Sequence, residues 1–352
     1  MRTGPAGGTK AGCAIMELPF AGSTLLVDPA GEGMALLDAR AAGLWRARGA
    51  AGRRFARRIG RELALGRTRG ALPPRAADPP AATCGRLHAL GGVPVAIACD
   101  DPDLDPMVQA LFAPLRMPGA ASPAHRLRLA PDGRRLVLWA DGQALAASED
   151  PDHALGLLID ALIDRAWPAA RWMAVVHAGA VADARGAVLL PAPSGGGKST
   201  LAAGLVAAGW RFLSDDIAPI DAGRGEVAPV PLALSAREGS WPILRGLFPG
   251  MKPVATLPFA EGRRRFLDLT RHAAQEPPPL RALLVPHLDP SGTPGLDRLN
   301  PGQALAALVE GRCWLSRERP LLQRLLSLLE TVPAFTGRYR TLAEGVALVN
   351  GL

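Results

Sequence analysis

Cysteine and lysine are scarce in this 352-residue chain. The four cysteines are scattered without a C-x-x-C pair; this pattern fits neither a disulfide framework nor a zinc site and is typical of a reducing compartment. The six histidines show no metal-ligand spacing. Because only three residues are lysine, the net charge of +8 comes almost wholly from arginine. We therefore expect a cytoplasmic protein without a structural zinc ion.

Long apolar runs are missing from the sequence as well. No window reaches 18 uncharged apolar residues, which argues against a membrane span. The opening stretch MRTGPAGGTKAGCAIME has no continuous apolar core of the kind a signal peptide needs. Apolar residues make up 48% and charged residues 20% of the chain, as in soluble globular proteins. We predict no membrane partner and a length sufficient for two domains.

The arginine excess has two interpretations. A charge of this sign attracts nucleic acid, an anionic membrane or an acidic peptide. A genome rich in Ala, Arg, Gly and Pro codons gives the same excess without any functional meaning, and this is the simpler explanation. Since the isoelectric point bears on association and not on fold, charge alone identifies no partner.

Composition divides the chain into two parts. Residues 71–83, ALPPRAADPPAAT, are rich in proline and almost free of large apolar residues, which is typical of a stiff linker. We predict a small α/β domain over residues 1–70 and a larger α/β domain over residues 84–352. In the small domain, AIMELPFAGSTLLVD and GMALLD predict short strands, and ARAAGLWRA and GRRFARRIGRELALG predict helices.

The larger part mixes strand and helix patterns. Strands are predicted for GGVPVAIACD and within RLRLAPDGRRLVLWADGQALAAS, and helices for DPMVQALFAPL and DPDHALGLLIDALIDRAW. Further on, PGQALAALVEG and RERPLLQRLLSLLETV predict helices, whereas FTGRYRTL and GVALV predict strands. In LLVPHLDP, Pro286 and Pro290 argue against a central strand.

The segment PAPSGGGKST, residues 191–200, has the composition of a phosphate-binding loop. It lies between an apolar run of strand length, GAVLLPA, and the helix-forming run STLAAGLVAAG, which is the context that such a loop requires. The inward N–H groups and the helix start would bind phosphate. Lys198 would reach the β- and γ-phosphates, and the Ser199 hydroxyl would bind Mg²⁺. The predicted nucleotide-binding residues are Ser194, Gly195, Gly196, Gly197, Lys198, Ser199 and Thr200.

One residue departs from the usual spacing G-x-x-x-x-G-K-[ST]. The first glycine would stand at position 192, where this chain has alanine. Ala192 requires a backbone with negative φ at that point, but it removes neither the lysine, nor the hydroxyl, nor the inward N–H groups. We therefore predict a working nucleotide site; a glycine-rich turn without function is the alternative.

A hairpin brings a histidine towards this loop. VVHAGAVADARGAVLLPA predicts two strands joined by the turn Asp-Ala-Arg-Gly at residues 183–186. Pairing across that turn sets His177 near position 192, at the mouth of the loop. We predict that His177 approaches the γ-phosphate or the acceptor; a purely structural histidine is the alternative.

Two aspartates follow the next predicted strand. RFLS leads into Asp215 and Asp216, and loop, helix and strand form a crossover unit, so we expect this strand to lie parallel beside the loop strand. Phosphoryl transfer needs one carboxylate near the metal and one that accepts the proton of the acceptor hydroxyl. Because neighbours on an extended strand point in opposite directions, both can serve only if the strand turns there.

These motifs together resemble a known family. H-A-G-A-V, the loop S-G-x-G-K-S and a strand ending in Asp-Asp are similar to the motifs of HPr kinase/phosphorylase and its HPr-kinase-related relatives. The histidine lies 21 residues before Lys198 and the first aspartate 17 residues after it, as in that family. The resemblance is firm over residues 172–220 and rests on weaker motifs over the rest of 84–352.

The resemblance implies a P-loop kinase fold and transfer of the γ-phosphate of ATP, with Mg²⁺, to a serine hydroxyl on a peptide or small protein. It implies Asp215 as the general base, Asp216 and Ser199 as Mg²⁺ ligands, and His177 as an assistant at the transfer centre. It also points to a homo-oligomer, although the sequence leaves the oligomeric state open.

The sequence differs from the bifunctional enzyme further along. In place of a Glu-x-x-Gly-x-Gly-type stretch, which is linked to phosphorolysis in that family, it has LSAREGSW at residues 234–241. Here Arg237 would clamp a transferring phosphoryl group and Glu238 would help to hold the metal; an ordinary surface loop is the alternative. This departure favours a kinase of another serine substrate over the phosphorolytic enzyme.

The N-terminal part is weakly similar to small PqqD-type domains, which hold leader peptides, and its pattern is also winged-helix-like. Residues 38–69 hold ten arginines and two acids, so a strand edge beside a basic helix would suit an extended acidic peptide. Solvated helix faces without such a role are the alternative. Nucleic acid is not favoured, because aromatic residues do not interleave with the arginines.

We therefore predict an ATP- and Mg²⁺-dependent serine kinase, with a peptide or small protein as its partner in a peptide-modification pathway. Two alternatives stay open: a kinase of a small-molecule hydroxyl, and a non-catalytic module gated by a nucleotide.

Overall fold

A computed structural model describes most of the larger predicted domain and part of the smaller one. The described residues are 15–27, 34–37, 39–46, 85–119, 121–193, 195–259, 262–310 and 313–352. The predicted linker at 71–83 and the predicted helix GRRFARRIGRELALG lie outside these residues. The described part is mixed α/β, as expected.

The chain forms two compact units. The first comprises Met1–Gly70 and Arg317–Leu326, and the second comprises Ala71–Ser316 and Ser327–Leu352. Arg317–Leu326 groups with the first unit, although it lies within the predicted domain 84–352. The predicted linker itself stays a prediction.

Twenty strands are found in the described residues. In chain order they are β1 Met16–Phe20, β2 Ser23–Val27, β3 Met34–Leu37, β4 Arg86–Leu90, β5 Val93–Cys99, β6 His125–Asp132, β7 Arg135–Ala140, β8 Gln143–Ser148, β9 Trp172–Val176, β10 Ala178–Asp183, β11 Gly186–Pro191, β12 Arg211–Ser214, β13 Ala218–Asp221, β14 Leu234–Arg237, β15 Ala255–Phe259, β16 Gly262–Leu267, β17 Leu280–Leu288, β18 Gly295–Leu299, β19 Cys313–Leu315 and β20 Ala334–Tyr339.

Eight α-helices accompany the strands in the described part of the chain. They are α1 Ala39–Arg46, α2 Asp105–Phe112, α3 Pro151–Ala166, α4 Lys198–Ala207, α5 Trp241–Leu247, α6 Pro301–Glu310, α7 Arg319–Thr331 and α8 Leu342–Asn350. None of the helices described is long and apolar enough to span a membrane.

The first unit contains an antiparallel sheet in the order β1-β2-β3, next to helix α1. The run AIMELPFAGSTLLVD was predicted as one strand but forms two, because Ala21 and Gly22 have positive φ angles of 46° and 76° and turn the chain back. Leu18 and Leu26 are fully buried between the elements. The winged-helix-like arrangement stays a prediction.

A six-stranded sheet forms the centre of the second unit, in the order β12-β10-β11-β17-β20-β18. The hairpin β10–β11 pairs Asp183 with Gly186, which confirms the predicted turn. β11 runs parallel to β17, and β17 runs parallel to β20. The carboxyl ends of these three strands therefore lie at one edge of the sheet, and the glycine-rich loop follows β11 at this edge.

The predicted position of the RFLS strand is wrong in one respect. This strand, β12, does not lie beside β11 but pairs antiparallel with β10, which separates them. The reason is that the tight hairpin already places β10 on that side of β11, while β17 occupies the other side. Because β10 is antiparallel to both, β12 still runs in the direction of β11, and its carboxyl end reaches the same edge.

The prediction of a final strand GVALV is also wrong, since these residues belong to helix α8. The helix start carries a capping signal: the Thr341 side chain accepts a hydrogen bond from the Glu344 N–H group, and the Glu344 carboxylate accepts one from the Arg340 N–H group. The spacing T-x-x-E therefore decides the structure over the β-branched valines.

The prolines of LLVPHLDP were expected to keep it out of the sheet centre, but its residues 283–288 belong to β17, between β11 and β20. Pro286 pairs opposite Gly337 of β20, whereas the pairs with β11 end at Leu283. The proline therefore lies beyond the end of β11, where no ladder hydrogen bond to that strand is required.

A second layer of this unit consists of the sheet β4-β5-β6-β7-β8 with helices α2 and α3. Helix α3 begins where predicted, with the Asp150 carboxylate accepting the Asp152 N–H group. Leu158 and Leu162 of α3 are fully buried in the core of this layer. Two smaller sheets complete the unit, with the orders β13-β9-β19 and β14-β16-β15.

Candidate functional site

The glycine-rich loop joins β11 to α4 with two left-handed turns. Gly195 and Gly197 have φ angles of 85° and 82°, and Gly197 is the residue that precedes the first turn of α4. Residues with a side chain rarely adopt such φ angles, so both positions favour glycine. The predicted contact from Ser194 lies outside the described residues.

Ala192 replaces the expected first glycine without strain. Apart from glycines, only Ala21 and Asp141 of the described residues have positive φ, so Ala192 has the negative φ that the sequence predicts. A Cβ added to Gly196 would lie 2.9 Å from the Ala192 Cβ and 3.1 Å from the Pro193 carbonyl oxygen. The methyl group of Ala192 thus fills space that a side chain at position 196 would need, and the extra glycine compensates for the missing one.

Lys198 is buried and folds back over the loop. Its Nζ donates to the Ala192 carbonyl oxygen at 3.1 Å and lies 3.4 Å from the His177 Nε2. A lysine folded over a glycine-rich loop at a helix start can contact the terminal phosphates of a nucleotide.

His177 lies at the mouth of the loop, as predicted. The neighbouring pair Ala178–Pro191 fixes the hairpin register, which sets position 177 against position 192. The same His177 Nε2 lies 3.6 Å from the Asp216 Oδ1. The imidazole thus bridges the lysine that faces the phosphates and a carboxylate.

Asp215 is the most buried acid of the site, with 3% of its surface exposed. Its Oδ2 accepts the Ser235 N–H group at 2.9 Å, whereas its buried Oδ1 has no hydrogen-bond partner in the described part of the chain. Burial raises the pKa of this carboxyl to about 7, and the Asp216 charge adds to the rise; the nearby Ser199 hydroxyl, the Ser235 N–H group and Lys198 oppose it. Asp215 can therefore exchange a proton near neutral pH.

Asp216 and Asp215 both line the same cavity because the strand bends after β12. β12 ends at Ser214, whose hydroxyl accepts the Ile217 N–H group at 3.0 Å and closes a turn around the two aspartates. Asp216 is about half exposed, so it is the more accessible carboxylate for a hydrated cation.

Ser199 and Thr200, in the first turn of α4, have different surroundings. Ser199 lines the cavity beside Asp215. The Thr200 hydroxyl forms a hydrogen bond of 2.8 Å with the Ser240 hydroxyl, which links the loop to the short turn Glu238–Ser240 after β14. Thr200 therefore stabilises the loop through its hydrogen bond to Ser240, in addition to lining the cavity.

Arg237 is brought to the loop, and Glu238 is not. The Arg237 Nη1 lies 3.6 Å from the position that a Cβ of Gly195 would take, and Arg237 lines the cavity. Glu238 is absent from the described cavity lining; its Oε1 accepts from the Arg263 Nε at 3.0 Å. Consecutive side chains leave an extended segment in opposite directions, so the structure gives no support to Glu238 as a metal ligand.

Two further residues belong to the site that the sequence analysis missed. Arg264 pairs with Arg237 across β14 and β16 and also lines the cavity. The hydroxyl of Tyr339 lies 3.4 Å from a Cβ built on Gly197. The run GRRRF is a signal for Arg264, but only the strand pairing shows which of its arginines faces the loop.

These groups surround a cavity of about 730 Å³. One end carries the loop glycines, Lys198 and the two arginines. Asp215 and Asp216 also line it, together with two further acids, Asp152 and Glu310. Its apolar lining residues and glycine are Leu111, Leu155, Gly156, Ile159, Ile217, Leu232 and Ala233. Cavities of this size hold small ligands and cofactors.

The residues fit a nucleotide and Mg²⁺. The described residues contain no cluster of three or more His, Cys, Asp or Glu side chains that would hold a metal alone. Mg²⁺ in phosphoryl-transfer sites needs only one or two carboxylates, because phosphates and water complete its shell. Asp216 and the Ser199 hydroxyl offer such a set beside the loop.

No protein-family model matches this sequence, and no curated protein is significantly similar to it. The resemblance to HPr-kinase-related proteins therefore rests on the motif residues and on their arrangement.

Proposed function

We propose that this protein is an ATP- and Mg²⁺-dependent kinase that transfers the γ-phosphate to a serine-type hydroxyl. The observation that carries the proposal is Asp215: a buried carboxylate with one unpartnered oxygen, beside Lys198 and Ser199 at the mouth of a glycine-rich loop. A buried carboxylate with a raised pKa beside a phosphate-binding loop supports a proton acceptor at this position.

The chain's residues divide the reaction between them. The loop N–H groups, Lys198, Arg237 and Arg264 hold the phosphates and offset their charge. Asp215 Oδ1 accepts the proton of the acceptor hydroxyl as the hydroxyl oxygen attacks the γ-phosphorus. The bond from the γ-phosphorus to its bridging oxygen breaks, and ADP leaves with that electron pair. Mg²⁺, when bound near Asp216 and Ser199, neutralises charge on the phosphate oxygens.

His177 supports the transfer from its position between Lys198 and Asp216. The Lys198 Nζ and the Asp216 Oδ1 both lie near its Nε2, which can accept a hydrogen bond from the lysine when it carries no proton and donate one to the carboxylate when it does. The same motif order supports kinship with HPr-kinase-related proteins, and with it a P-loop kinase fold and a peptide or small-protein acceptor.

The size of the cavity favours a second candidate, a kinase of a small-molecule hydroxyl. A volume of about 730 Å³ lies within the range of small-ligand sites, so a small acceptor would fit beside the phosphates. The two candidates share the residues and the chemistry and differ only in the acceptor.

The test is phosphoryl transfer by the purified full-length chain. The protein is incubated with ATP and Mg²⁺, alone and with peptides encoded beside its gene, and the products are weighed by mass spectrometry. A gain of one phosphate on a peptide serine, absent with Asp215→Asn, supports the serine kinase. Nucleotide binding without transfer to any peptide or small hydroxyl compound would leave only a nucleotide-gated module.

A further inference from the structure

Helix α3 contributes an unusual residue to the cavity. Gly156 stands in the middle of this 16-residue helix, where glycine costs about 1 kcal/mol relative to alanine. Its φ is not positive, and a Cβ added to it would have nothing within 4 Å. Neither backbone conformation nor packing therefore requires glycine at this position. Since Gly156 lines the cavity, the space above it is the space of a ligand.

The surroundings of Gly156 are mainly apolar, although Asp152, one turn earlier on α3, and Glu310 also line the cavity. Leu155 and Ile159 of α3, Leu111 of α2 and Leu232 before β14 line the same side of the cavity; together with Gly156 they are called here the acceptor wall. The wall is fixed rather than adaptable: Ile159 and Leu232 belong to the buried core of the layer, and the Ala233 N–H group donates to the Leu111 carbonyl oxygen at 2.9 Å.

The acceptor wall and the phosphate loop contact the chain on either side of Ser235, the residue that binds Asp215. The segment from Leu232 to Arg237 runs past the site: Leu232 is in the wall, Ser235 binds Asp215, and Arg237 reaches Gly195 of the loop. Ser235 and Arg237 lie two residues apart on β14, about 7 Å, so phosphate, base and wall follow one another in that order. In a transfer reaction the acceptor oxygen attacks the γ-phosphorus roughly in line with the leaving oxygen, so the acceptor lies beyond the γ-phosphate from the rest of the nucleotide.

We infer that the acceptor hydroxyl is carried by an apolar group about the size of a leucine side chain, which packs over Gly156 against the acceptor wall. The inference rests on the proposed function and adds the substrate class to it. It assigns acceptor selection to the layer that contains α2 and α3. Burial of such a side chain contributes about 1.5–3 kcal/mol, which corresponds to a preference of roughly 10- to 100-fold.

The test compares two synthetic peptides, acetyl-Gly-Ser-Leu-Gly-amide and acetyl-Gly-Ser-Gly-Gly-amide. Phosphorylation with ATP and Mg²⁺ gives kcat/KM for each, and ligand-observed NMR gives binding independently of any reaction. The full-length protein is expected to prefer the leucine peptide at least tenfold in one or both measurements. Gly156→Leu fills the space and is expected to abolish this preference while binding ADP as the unchanged protein does.

Gly246 provides the matched control. It also lies inside a helix, α5, with nothing within 4 Å of an added Cβ, but it is exposed and is not among the described lining residues of the cavity. Gly246→Leu makes the same change outside the site and is expected to keep the preference for leucine. Equal loss in both variants would show a general effect on folding and would overturn the inference.

The outcomes separate the two proposals. If the protein binds the leucine peptide selectively, Gly156→Leu removes that binding and no phosphorylation occurs, the result supports the acceptor wall and counts against the proposed kinase activity. Phosphorylation of both peptides at the same rate supports the kinase and overturns the wall. If neither peptide binds, 1-hexanol is tested by the same NMR measurement: binding that Gly156→Leu removes assigns the apolar group to a small molecule, and no binding overturns the inference.

Discussion

At the scale of single residues, Asp215 concentrates most of the proposed chemistry. We expect Asp215→Asn to lower phosphoryl transfer by about 10²- to 10⁴-fold, because asparagine cannot accept the acceptor proton. Nucleotide affinity should persist, since the amide oxygen can still accept the Ser235 N–H group and one negative charge near the phosphates is removed. Single-turnover transfer and ADP titration measure the two effects. A parallel loss of ADP binding would contradict the role of Asp215 as base.

The same carboxyl makes stability depend on pH. The pKa of Asp215 is about 7 in the folded chain and about 3.9 in an unfolded one. The folded state therefore keeps a proton that the unfolded state loses above about pH 4. The contribution of this group to the free energy of unfolding is full below the unfolded pKa and is lost as the pH rises through about 7.

Asp215→Asn removes this dependence because its side chain stays neutral. We expect the free energy of unfolding of the variant, relative to that of the unchanged protein, to rise by on the order of 1–4 kcal/mol from pH 4 to pH 8, since each pKa unit corresponds to about 1.4 kcal/mol. Urea unfolding at both pH values measures the difference. A constant difference between the two proteins would show that Asp215 is not protonated in the folded state near pH 4–7.

At the scale of elements, the phosphate loop shows how two departures from a motif can offset each other. A methyl group on Gly196 would collide with the Ala192 methyl group at 2.9 Å. We expect Gly196→Ala to lower ADP affinity at least tenfold, and the double variant Ala192→Gly/Gly196→Ala to recover much of it. Calorimetric titration with ADP and Mg²⁺ measures both. Equal affinities in the single and double variants would show that the two positions are not coupled.

The elements also show what sequence patterns can and cannot determine. Strand–loop–helix order, the hairpin that places His177 and the Asp150 start of α3 follow from local signals, and all were predicted. Strand order was not: nothing in RFLS indicates that β10 lies between β12 and β11. Cross-strand pairing decides that Arg264 lines the cavity and that Glu238 does not reach it. The strand that pairs with β14 lies about 30 residues further along the chain, so no local pattern indicates this pairing.

At the scale of the whole molecule, the two units allow ligand effects to be assigned. The described loop, aspartates and arginines all belong to the second unit, so a nucleotide should stabilise that unit without a direct effect on the first. At 100 times its dissociation constant, ADP with Mg²⁺ is expected to add about 2.7 kcal/mol, and each kcal/mol raises the Tm of a unit of this size by about 2–4 °C.

Scanning calorimetry of the full-length chain measures this shift, and a pair of lysines provides the control. Lys198→Ala should abolish the shift, because its Nζ lies over the loop, whereas Lys252→Ala should keep it, because Lys252 is exposed and absent from the described cavity lining. If ADP shifts every transition equally, or if Lys198→Ala responds like Lys252→Ala, the nucleotide does not bind at the loop.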